Sequence, residues 1–243
     1  MPNADHASSL TAARAFQVLA AIQLKHTSVP RLVQTLAELT TQVLPGDIEA
    51  SVTLLDSHRM TTVAATGQLA STLDEAQYTA GHGPCLHAAT TGELTEITDT
   101  RTDTRWAHFM QRALDHGTLS SLSLPLAVST DLTGSLNIYA RTSNAFDDHA
   151  RTATTRFAIQ TAVAIANVRD YQAAQAEVER LEAAFESRTV IEQATGMLIE
   201  RLDVAAPDAH RVLVEVADRS SVPIRDVAAQ LVTTGELPGP RRS

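Results

Sequence analysis

Residues 187–201 read Ser187-Arg-Thr-Val-Ile-Glu-Gln-Ala-Thr-Gly-Met-Leu-Ile-Glu-Arg201, and two shorter amphipathic segments follow at 207–219 and 224–232. In each segment the apolar residues recur at the three- and four-residue spacing of a helix that buries one face. A unit of three such helices is smaller than a typical enzyme core, but it is large enough to present a helical face to nucleic acid. The pattern predicts a regulator with a sensor in front of this unit.

Composition narrows the class of protein. The 243 residues are 44% hydrophobic and only 4% aromatic, so we expect cores built from alanine, leucine, valine and isoleucine. The formal net charge is −9 and Lys25 is the single lysine, so the chain is not a general polyanion binder and its contacts with phosphate must come from arginine. Cys85 is the single cysteine, which excludes an internal disulfide framework and a multi-cysteine zinc site. The sequence has no visible signal segment and no membrane-length apolar run, which predicts a cytoplasmic protein.

The front half mixes helical and strand periodicity. Helical spacing predicts a lead helix over 8–26 and a second helix that Ser28 caps. Apolar and polar residues alternate in two hairpins, over 50–66 and 122–140, which predicts half-buried antiparallel strands. Helices packed on such a sheet define an α+β domain of about 140 residues.

The connections between these elements carry turn and cap signals. Residues 67–80 are polar and are predicted to be irregular, with a short helix as the alternative. The glycine-rich stretch 81–85 is predicted to be a strained turn. Asp103 is predicted to cap an amphipathic helix. The apolar stripe of that helix comprises Trp106, Phe109, Met110, Ala113 and Leu114.

A long helix is predicted from Asp147 or Asp148 to about Glu186. Its second half has apolar residues at alternating spacings of three and four, which is the a/d spacing of a coiled coil. These residues are Tyr171, Ala174, Val178, Leu181 and Phe185. Because the segment joins two domains and has little else to bury against, we interpret it as the seam of a parallel dimer. The alternative is a stripe that packs within the chain.

Several short motifs occur in a fixed order along the chain. In the front half they are Gly81-His-Gly-Pro-Cys85-Leu-His-Ala88, Asp103-Thr-Arg-Trp106, Leu122-Ser-Leu-Pro-Leu126, Gly134-Ser-Leu-Asn-Ile-Tyr139 and Ala145-Phe-Asp147. In the rear they are Arg188-Thr-Val-Ile191, Gln193-Ala-Thr-Gly-Met-Leu198, Ala209, Leu213, Ala217 and Asp226-Val-Ala228. In their order and spacing these motifs resemble the actinobacterial GAF–ANTAR transcription regulators.

The resemblance implies a domain organisation and a function. It divides the chain into an N-terminal helical lead (1–27), a GAF sensor domain (28–170), a coiled-coil linker (171–187), an ANTAR RNA-binding domain (188–237) and a tail (238–243). It implies that the GAF domain senses a small molecule or a partner. It also implies that the three-helix ANTAR module binds paired hairpins in nascent RNA and suppresses transcription termination. A homodimer formed through the connecting helix would place two modules for two hairpins.

The candidate RNA-binding residues are polar groups of the rear module: Arg188, Gln193, Arg201, His210, Arg211 and Arg225. Arginine suits phosphate because its planar fork donates parallel hydrogen bonds, and an aromatic ring such as that of His210 can stack on a base. The alternative is a solvated helix face with local acid pairs. This alternative stays open because residues 188–237 hold five arginines against eight acidic residues, a net charge of −3.

The rear module also departs from the pattern of the family. Thr195 and Val214 stand where the family usually has lysine and arginine, and His210 stands where another aromatic residue is common. Five residues are predicted to be packing positions, at which small side chains let helices approach closely: Ala194, Gly196, Ala209, Ala217 and Ala228.

In the front module the candidate ligand-binding residues are His82, Cys85, Trp106 and Tyr139. The resemblance places the glycine-rich turn near the pocket of the GAF domain. The imidazoles of His82 and His87 and the thiolate of Cys85 are groups that could bind a soft metal. We favour the alternative that Cys85 is a buried cysteine at the start of a short helix. No metal is therefore predicted. A redox-sensing thiol is a further alternative. The sequence leaves the ligand and any cofactor unknown.

Enzyme motifs are missing from the chain: it has no phosphate-binding glycine loop, dinucleotide fingerprint, zinc-protease helix or nucleophile elbow. We therefore expect a regulator and not an enzyme. Two alternatives to RNA binding stay open. One is a DNA-binding transcription factor that reads base edges with Arg225 and Gln230 of the last helix. The other is a redox or metal sensor that acts through protein association.

Overall fold

The computed structural model describes residues 17–18, 23–56 and 59–239. Most of the lead helix predicted over 8–26 lies outside these residues, and Leu24–His26 form a short 3-10 turn. The chain forms two compact units, which meet in sequence between Tyr171 and Gln172.

The first unit is a five-stranded antiparallel sheet with helices on both faces. Its strand order is β2-β1-β5-β4-β3, which confirms the α+β class and both predicted hairpins. A long helix, α5 (Asp148–Leu202), begins in this unit. The elements before it are α1 (Val29–Val43), β1 (Ile48–Asp56), β2 (Arg59–Ala65), α2 (Gln68–Ala80), α3 (Pro84–Thr91), β3 (Thr95–Ile97), α4 (Ala107–Asp115), β4 (Ser120–Ala127) and β5 (Leu132–Ala140).

The two faces of the sheet differ in chemistry. Side chains alternate along a strand, so residues two apart share a face. On one face Val52, Leu124 and Ile138 belong to a buried apolar cluster that includes residues of α1 and of the first part of α5. The prediction of half-buried strands is wrong for β1, β4 and β5, because α2 and α3 pack against the sheet and exclude water from its other face. It is right for β2, in which Arg59 and Thr61 are exposed. The other face of the sheet is polar and consists of Ser51, Thr53, Ser121, Ser123, Ser135, Asn137 and Tyr139.

Helix α2 is the largest departure from the elements predicted for the first unit, because it fills residues 68–80, for which irregular structure or at most a short helix is predicted. Its buried side combines Leu73 with the polar residues Asp74 and Gln77. Polar residues therefore interrupt the apolar stripe by which an amphipathic helix is recognised in a sequence. The helix ends at Gly81, which has a φ of 73° and adopts the left-handed conformation that favours glycine.

Two predicted helix caps have different outcomes. The hydroxyl of Ser28 accepts a hydrogen bond from the backbone N–H of Arg31 at 3.4 Å, which confirms the cap of α1. The cap predicted at Asp103 is wrong: its carboxylate accepts from the backbone N–H of Arg105 at 2.9 Å, and α4 begins only after Trp106. The apolar stripe of α4 is confirmed at its buried residues Phe109, Met110 and Ala113.

The second unit consists of the remainder of α5 and two further helices, α6 (Ala206–Ser220) and α7 (Ile224–Thr234). The three helical segments predicted from the sequence are therefore confirmed. The predicted end of the long helix near Glu186 is wrong, because no cap, glycine or proline separates the linker from the first helix of the module. The core of this unit is apolar and comprises Ala194, Leu198, Ala209, Leu213, Val216, Ala217, Val227, Ala228 and Leu231. The four alanines predicted to be packing positions thus belong to this core. The same prediction for Gly196 is wrong, because the residue is exposed and a Cβ atom built on it meets nothing within 4 Å.

The coiled-coil stripe of α5 lies open to solvent in the second unit. Val178 is 46% exposed, Leu181 is 54% exposed and Phe185 is 72% exposed. Large apolar side chains are seldom left in a line on the surface of a monomer. Among the described residues of this unit, no cluster of buried apolar residues includes these three side chains.

Candidate functional site

The first candidate site is a polar layer that is buried between the sheet and α2. At its centre is the carboxylate of Asp74, which has no exposure to solvent. Its Oδ1 accepts a hydrogen bond from the Tyr139 hydroxyl at 2.6 Å, and its Oδ2 accepts one from the Thr62 hydroxyl at 2.8 Å. The amide of Asn137 lies 3.4 Å from Oδ1. The carboxylate of Asp74 on α2 thus accepts hydrogen bonds from side chains of β2 and β5.

Burial dominates the electrostatics of this layer. Loss of hydration raises the pKa of Asp74 to about 6, although hydrogen bonds from Tyr139, Ser51 and other hydroxyls act in the opposite direction. Every hydrogen-bond partner of the carboxylate is uncharged. No lysine or arginine occurs among the fully buried polar residues of the described ranges. Asp74 is therefore a buried acid without a compensating cation.

Hydrogen bonds extend the layer to neighbouring elements. The Tyr78 hydroxyl shares hydrogen bonds with the hydroxyls of Thr53 and Thr62, at 2.8 and 2.7 Å. Burial and the nearby carboxylate raise the pKa of Tyr78 above its ordinary value. The Gln77 amide donates to the Tyr139 hydroxyl at 3.2 Å and accepts from the backbone N–H of Cys85 at 2.8 Å. The layer thus links the sheet to the start of α3.

Several polar atoms of the same sheet face have no partner among the described residues. They are the hydroxyl oxygens of Ser121, Ser123 and Ser135 and the amide oxygen Oδ1 of Asn137. In the sheet register Asn137 lies between Ser51 and Ser123 on the neighbouring strands. Buried polar atoms are normally hydrogen-bonded, so this face has unused capacity to bind a polar molecule or water.

The four predicted ligand-binding residues lie in different surroundings. Tyr139 is part of the polar layer, and Cys85 joins it through its backbone N–H. Trp106 is partly buried against the apolar cluster that contains Tyr139, with the guanidinium of Arg105 5.2 Å from its ring. His82 is exposed to solvent. Direct contact of these residues with a ligand stays a prediction.

The side chains of His82, Cys85 and His87, near the glycine-rich turn, do not form a common metal site. Cys85 is fully buried, while His87 directs Nδ1 to the hydroxyl of Thr95 at 3.1 Å. Within the ranges that the structure describes, no three histidine, cysteine or acidic side chains are grouped so as to hold a metal ion.

Cys85 is expected to be unreactive toward a thiol reagent such as Ellman's reagent in the folded protein. Its side chain has no exposure, and burial together with the negative charge of Asp74 raises the pKa of the thiol well above its ordinary value. Thiol titration before and after unfolding in guanidinium chloride measures this. One thiol should appear only on unfolding. Rapid reaction in the native protein would contradict this expectation and favour the redox-sensor alternative.

Asp74, Gln77 and Tyr78 form much of the polar layer, and none of them is among the residues predicted from the sequence. These residues occupy spacings of three and four, the signal of one helix face, but the face is polar and the segment was predicted to be irregular. Their partners Thr53, Thr62 and Asn137 lie far away in sequence.

The second candidate site is a groove between α5 and α6, with a volume of about 760 Å³. Its edges carry two of the predicted RNA-binding residues, Arg188 and His210, and both are exposed. The full lining comprises Ala184, Ser187, Arg188, Ile191, Glu192, Thr195, Gly196, Ile199, Ala206 and His210. The groove therefore combines apolar, charged and aromatic groups.

The exposed arginines of this unit lie next to acidic residues. Arg188 Nε is 2.7 Å from Glu192, and Arg211 Nη2 is 2.7 Å from Asp208. Arg225 is 3.4 Å from its neighbour Asp226. Such exposed pairs stabilise a fold by only about 0–1 kcal/mol each, and a guanidinium has five N–H groups. These pairs therefore leave donors free for another anion.

Two other predicted RNA-binding residues behave differently from these arginines. Arg201 donates from Nη1 to the backbone carbonyl of Gly235 at 2.7 Å and so ties the end of α5 to the end of α7. Gln193 is exposed on α5, one residue before the buried Ala194. The roles of these side chains in RNA binding stay predictions.

An α+β unit with a buried polar site, followed by a small helical module with exposed arginines, points to a ligand-responsive regulator. The family profile of the GAF domain matches residues 26–166, and that of the ANTAR domain matches residues 179–232. The chain therefore belongs to the GAF domain family and carries an ANTAR domain behind its GAF domain, as the sequence motifs predicted. Together the two domains define a sensor-regulated, RNA-binding antitermination regulator.

Solved structures agree with the fold of the first unit. The chain is similar to the GAF domain of a phosphoenolpyruvate-protein phosphotransferase from Coxiella burnetii, with 17% identity, a TM-score of 0.53, and coverage of 70% of this chain and 99% of that one. It is also similar to the free methionine-R-sulfoxide reductase of Neisseria meningitidis in complex with its substrate, with 14% identity, a TM-score of 0.53, and coverage of 68% and 91%. A GAF domain from an Acinetobacter phosphoenolpyruvate-protein phosphotransferase shares 15% identity, with a TM-score of 0.50 and coverage of 68% and 96%. At these identities the likeness establishes the fold alone.

Comparison with curated proteins gives no match. Within the described parts of the chain, no helix combines the length and the apolar character that are needed to cross a bilayer.

Proposed function

We propose that the protein is a homodimer whose GAF domain receives a small molecule or a partner as its signal and controls the binding of its ANTAR domain to paired hairpins in nascent RNA. The observation that carries this proposal is the order of the two domains in one chain, GAF over 26–166 and ANTAR over 179–232. RNA bound in this way would hold the transcript in a form that does not terminate transcription.

The contacts with RNA come from the exposed arginines of the ANTAR domain in this proposal. The side chains of Arg188, Arg211 and Arg225 are 79%, 66% and 57% exposed. Each can exchange a weak carboxylate pair for a phosphate, because a phosphate accepts two parallel hydrogen bonds from one guanidinium. The acidic net charge of the domain makes these few contacts decisive, since phosphate neutralisation supplies much of RNA affinity.

The signal enters through the polar layer around Asp74 in this proposal. A ligand that reached this layer would meet the unpartnered groups of Ser123, Ser135 and Asn137. Tyr139 and Trp106 border the same side of the sheet and are the predicted residues best placed to contact it. A ligand that replaced hydrogen-bond partners of Asp74 would change how α2 and α3 pack on the sheet. The reason is that Asp74 lies on α2, and Gln77 of α2 is hydrogen-bonded to the start of α3.

Replacing Arg188 or Arg211 with alanine is expected to weaken binding to a synthetic two-hairpin RNA by roughly three- to tenfold at low salt. Each substitution removes one phosphate contact, so the slope of log affinity against log salt should fall by about one. Fluorescence anisotropy over a salt series measures both quantities, with Arg31→Ala, an exposed arginine of α1, as the control.

Two outcomes would reject the proposal. One is the absence of binding to any two-hairpin RNA at low salt. The other is equal competition by duplex DNA, which would favour the DNA-binding alternative and its candidate residues Arg225 and Gln230.

A further inference from the structure

Two helices cover the polar face of the sheet: α2 lies mainly over β1 and β2, and α3 lies over β4 and β5. The buried residues of α3 are small, namely Pro84, Cys85, Ala88 and Ala89. Within the described part of the chain, no cluster of buried apolar residues includes a residue of α3. Contact between large apolar side chains is the main source of packing stability. Helix α3 is therefore held on the sheet less firmly than α1, which belongs to the apolar core.

The sheet surface beneath α3 carries hydrogen-bonding groups that lack partners among the described residues. They are the hydroxyls of Ser121 and Ser123 on β4, the hydroxyl of Ser135 on β5, and Oδ1 of Asn137 on β5. All four side chains are fully buried. Alanine and proline side chains on α3 cannot supply the missing partners, and a buried polar group without a partner is destabilising. A polar molecule beneath α3 would recover this loss.

The start of α3 is fastened by one side chain of α2. Oε1 of Gln77 accepts a hydrogen bond from the backbone N–H of Cys85 at 2.8 Å. A Cβ atom on Gly83 would collide with the same Gln77 side chain. Gly81 and Gly92 flank the helix with φ values of 73° and 75°, in the left-handed region that favours glycine. Residues at the ends of an element can absorb the backbone rotation of a hinge, so release of Gln77 would leave α3 free to turn on its two ends.

The middle of α3 carries a contact that reports its position. The ring centroids of His87 and Trp106 are 5.6 Å apart in an edge-to-face arrangement. Trp106 is the single tryptophan of the chain. Movement of α3 away from the sheet would separate the two rings and change the fluorescence of Trp106.

The unpartnered groups favour one kind of ligand. A serine hydroxyl both donates and accepts hydrogen bonds, and the amide oxygen of Asn137 accepts them. A compound with several hydroxyl groups also donates and accepts, so it can satisfy all of these atoms. An ammonium group only donates, and a carboxylate or phosphate only accepts, so each would leave some of them unpaired.

We propose that α3 is a hinged cover over a binding site on β4 and β5, and that a small uncharged polyol opens the cover by hydrogen bonding to Ser123, Ser135 and Asn137. This inference rests on the proposed function, in which the GAF domain receives a small molecule. It adds the chemical class of that molecule, the helix that moves, and the residue that holds the helix closed.

Titration of the full chain with glycerol, erythritol and myo-inositol tests the site, with Trp106 fluorescence as the readout. At least one polyol should give a saturable change. Ser123→Ala and Ser135→Ala should each weaken its binding by about three- to tenfold, as for the loss of one hydrogen bond. Neither variant should lower Tm, because the hydroxyl that it removes has no partner in the closed form. Thr130→Ala, which removes an exposed hydroxyl between β4 and β5, serves as the control.

Gln77→Met tests the fastening of the cover. A cover that opens more easily makes the binding-competent form more abundant, so the polyol should bind about tenfold more tightly. Amide hydrogen exchange of residues 84–91 should accelerate, while exchange in 148–170 stays as in wild type. Gly83→Ala displaces Gln77 from the same N–H and should act in the same direction. The control is Gln111→Met, at an exposed position of α4.

Four results would overturn the inference. The first is no response to any of the three polyols, and the second is a response to spermidine or inorganic phosphate in their place. The third is a lower Tm with unchanged polyol binding in Ser123→Ala and Ser135→Ala, which would mean that buried water already satisfies these hydroxyls. The fourth is faster exchange in Gln77→Met without tighter polyol binding, which would make Gln77 a purely structural residue. Each of these results leaves RNA binding untouched, whereas failure of wild type to bind two-hairpin RNA rejects the proposed function itself.

Discussion

Asp74→Asn is expected to remove most of the pH dependence of GAF domain stability between about pH 4 and pH 6. The folded-state pKa of Asp74 is raised from 3.8 to about 6. The folded state therefore keeps a proton that the unfolded state releases, so the free energy of unfolding falls as the pH rises through this range. A shift of this size corresponds to about 3 kcal/mol, which is large against the stability of a domain.

Denaturant unfolding across that pH range measures the effect. Trp106 is the single tryptophan of the chain and lies in the first unit, so its fluorescence reports on the GAF domain. The control is Asp131→Asn, an exposed aspartate between β4 and β5. In Asp74→Asn the free energy of unfolding should depend less on pH than it does in wild type or in Asp131→Asn. Parallel profiles for wild type and Asp74→Asn would mean that the carboxylate is not desolvated in the folded protein.

Leu181→Glu combined with Phe185→Glu is expected to give a monomer and to lower affinity for two-hairpin RNA by about a hundredfold or more. The reason is that two linked modules bind the second hairpin at a high effective concentration, and this gain vanishes when the modules separate. Glutamates on the exposed apolar line would face each other across the proposed seam, where like charges are unfavourable.

Analytical ultracentrifugation and RNA titration with one and with two hairpins test this expectation. Ala183→Glu adds one glutamate at an exposed position on the opposite side of the helix and serves as the control for added negative charge. Binding to a single hairpin should be nearly unchanged in the double variant. A double variant that stays dimeric would show that another surface holds the two copies together.

Local signals in the sequence predicted those parts of the fold that local chemistry decides. The cap at Ser28, the hairpins and the three helices of the ANTAR domain each depend on a spacing or a residue type within a few positions. The prediction of a cap at Asp103 is wrong because an aspartate that can cap a helix can also accept a hydrogen bond within a local turn. Here its carboxylate accepts from the backbone N–H of Arg105.

Local sequence signals could not predict the polar layer, because its residues are brought together by the fold. The hydrogen bond between Tyr139 and Asp74 spans 65 residues of sequence, and that between Thr53 and Tyr78 spans 25. A helix face with Asp74 and Gln77 looks solvent-exposed until its partners on the sheet are known. Because these polar groups are buried, neither α2 nor most of the candidate sensor site could be predicted from the sequence.

Lysine and arginine are absent from the fully buried polar residues described, and this bears on the effector that we propose to bind beside Asp74. A compound that carries phosphate or carboxylate would bring a second negative group beside a buried acid, with no guanidinium or ammonium among the fully buried polar residues described to offset the repulsion. A neutral compound avoids that repulsion, and an amine would supply the absent positive charge. Effector screening by thermal shift is therefore best begun with amines and uncharged polyols.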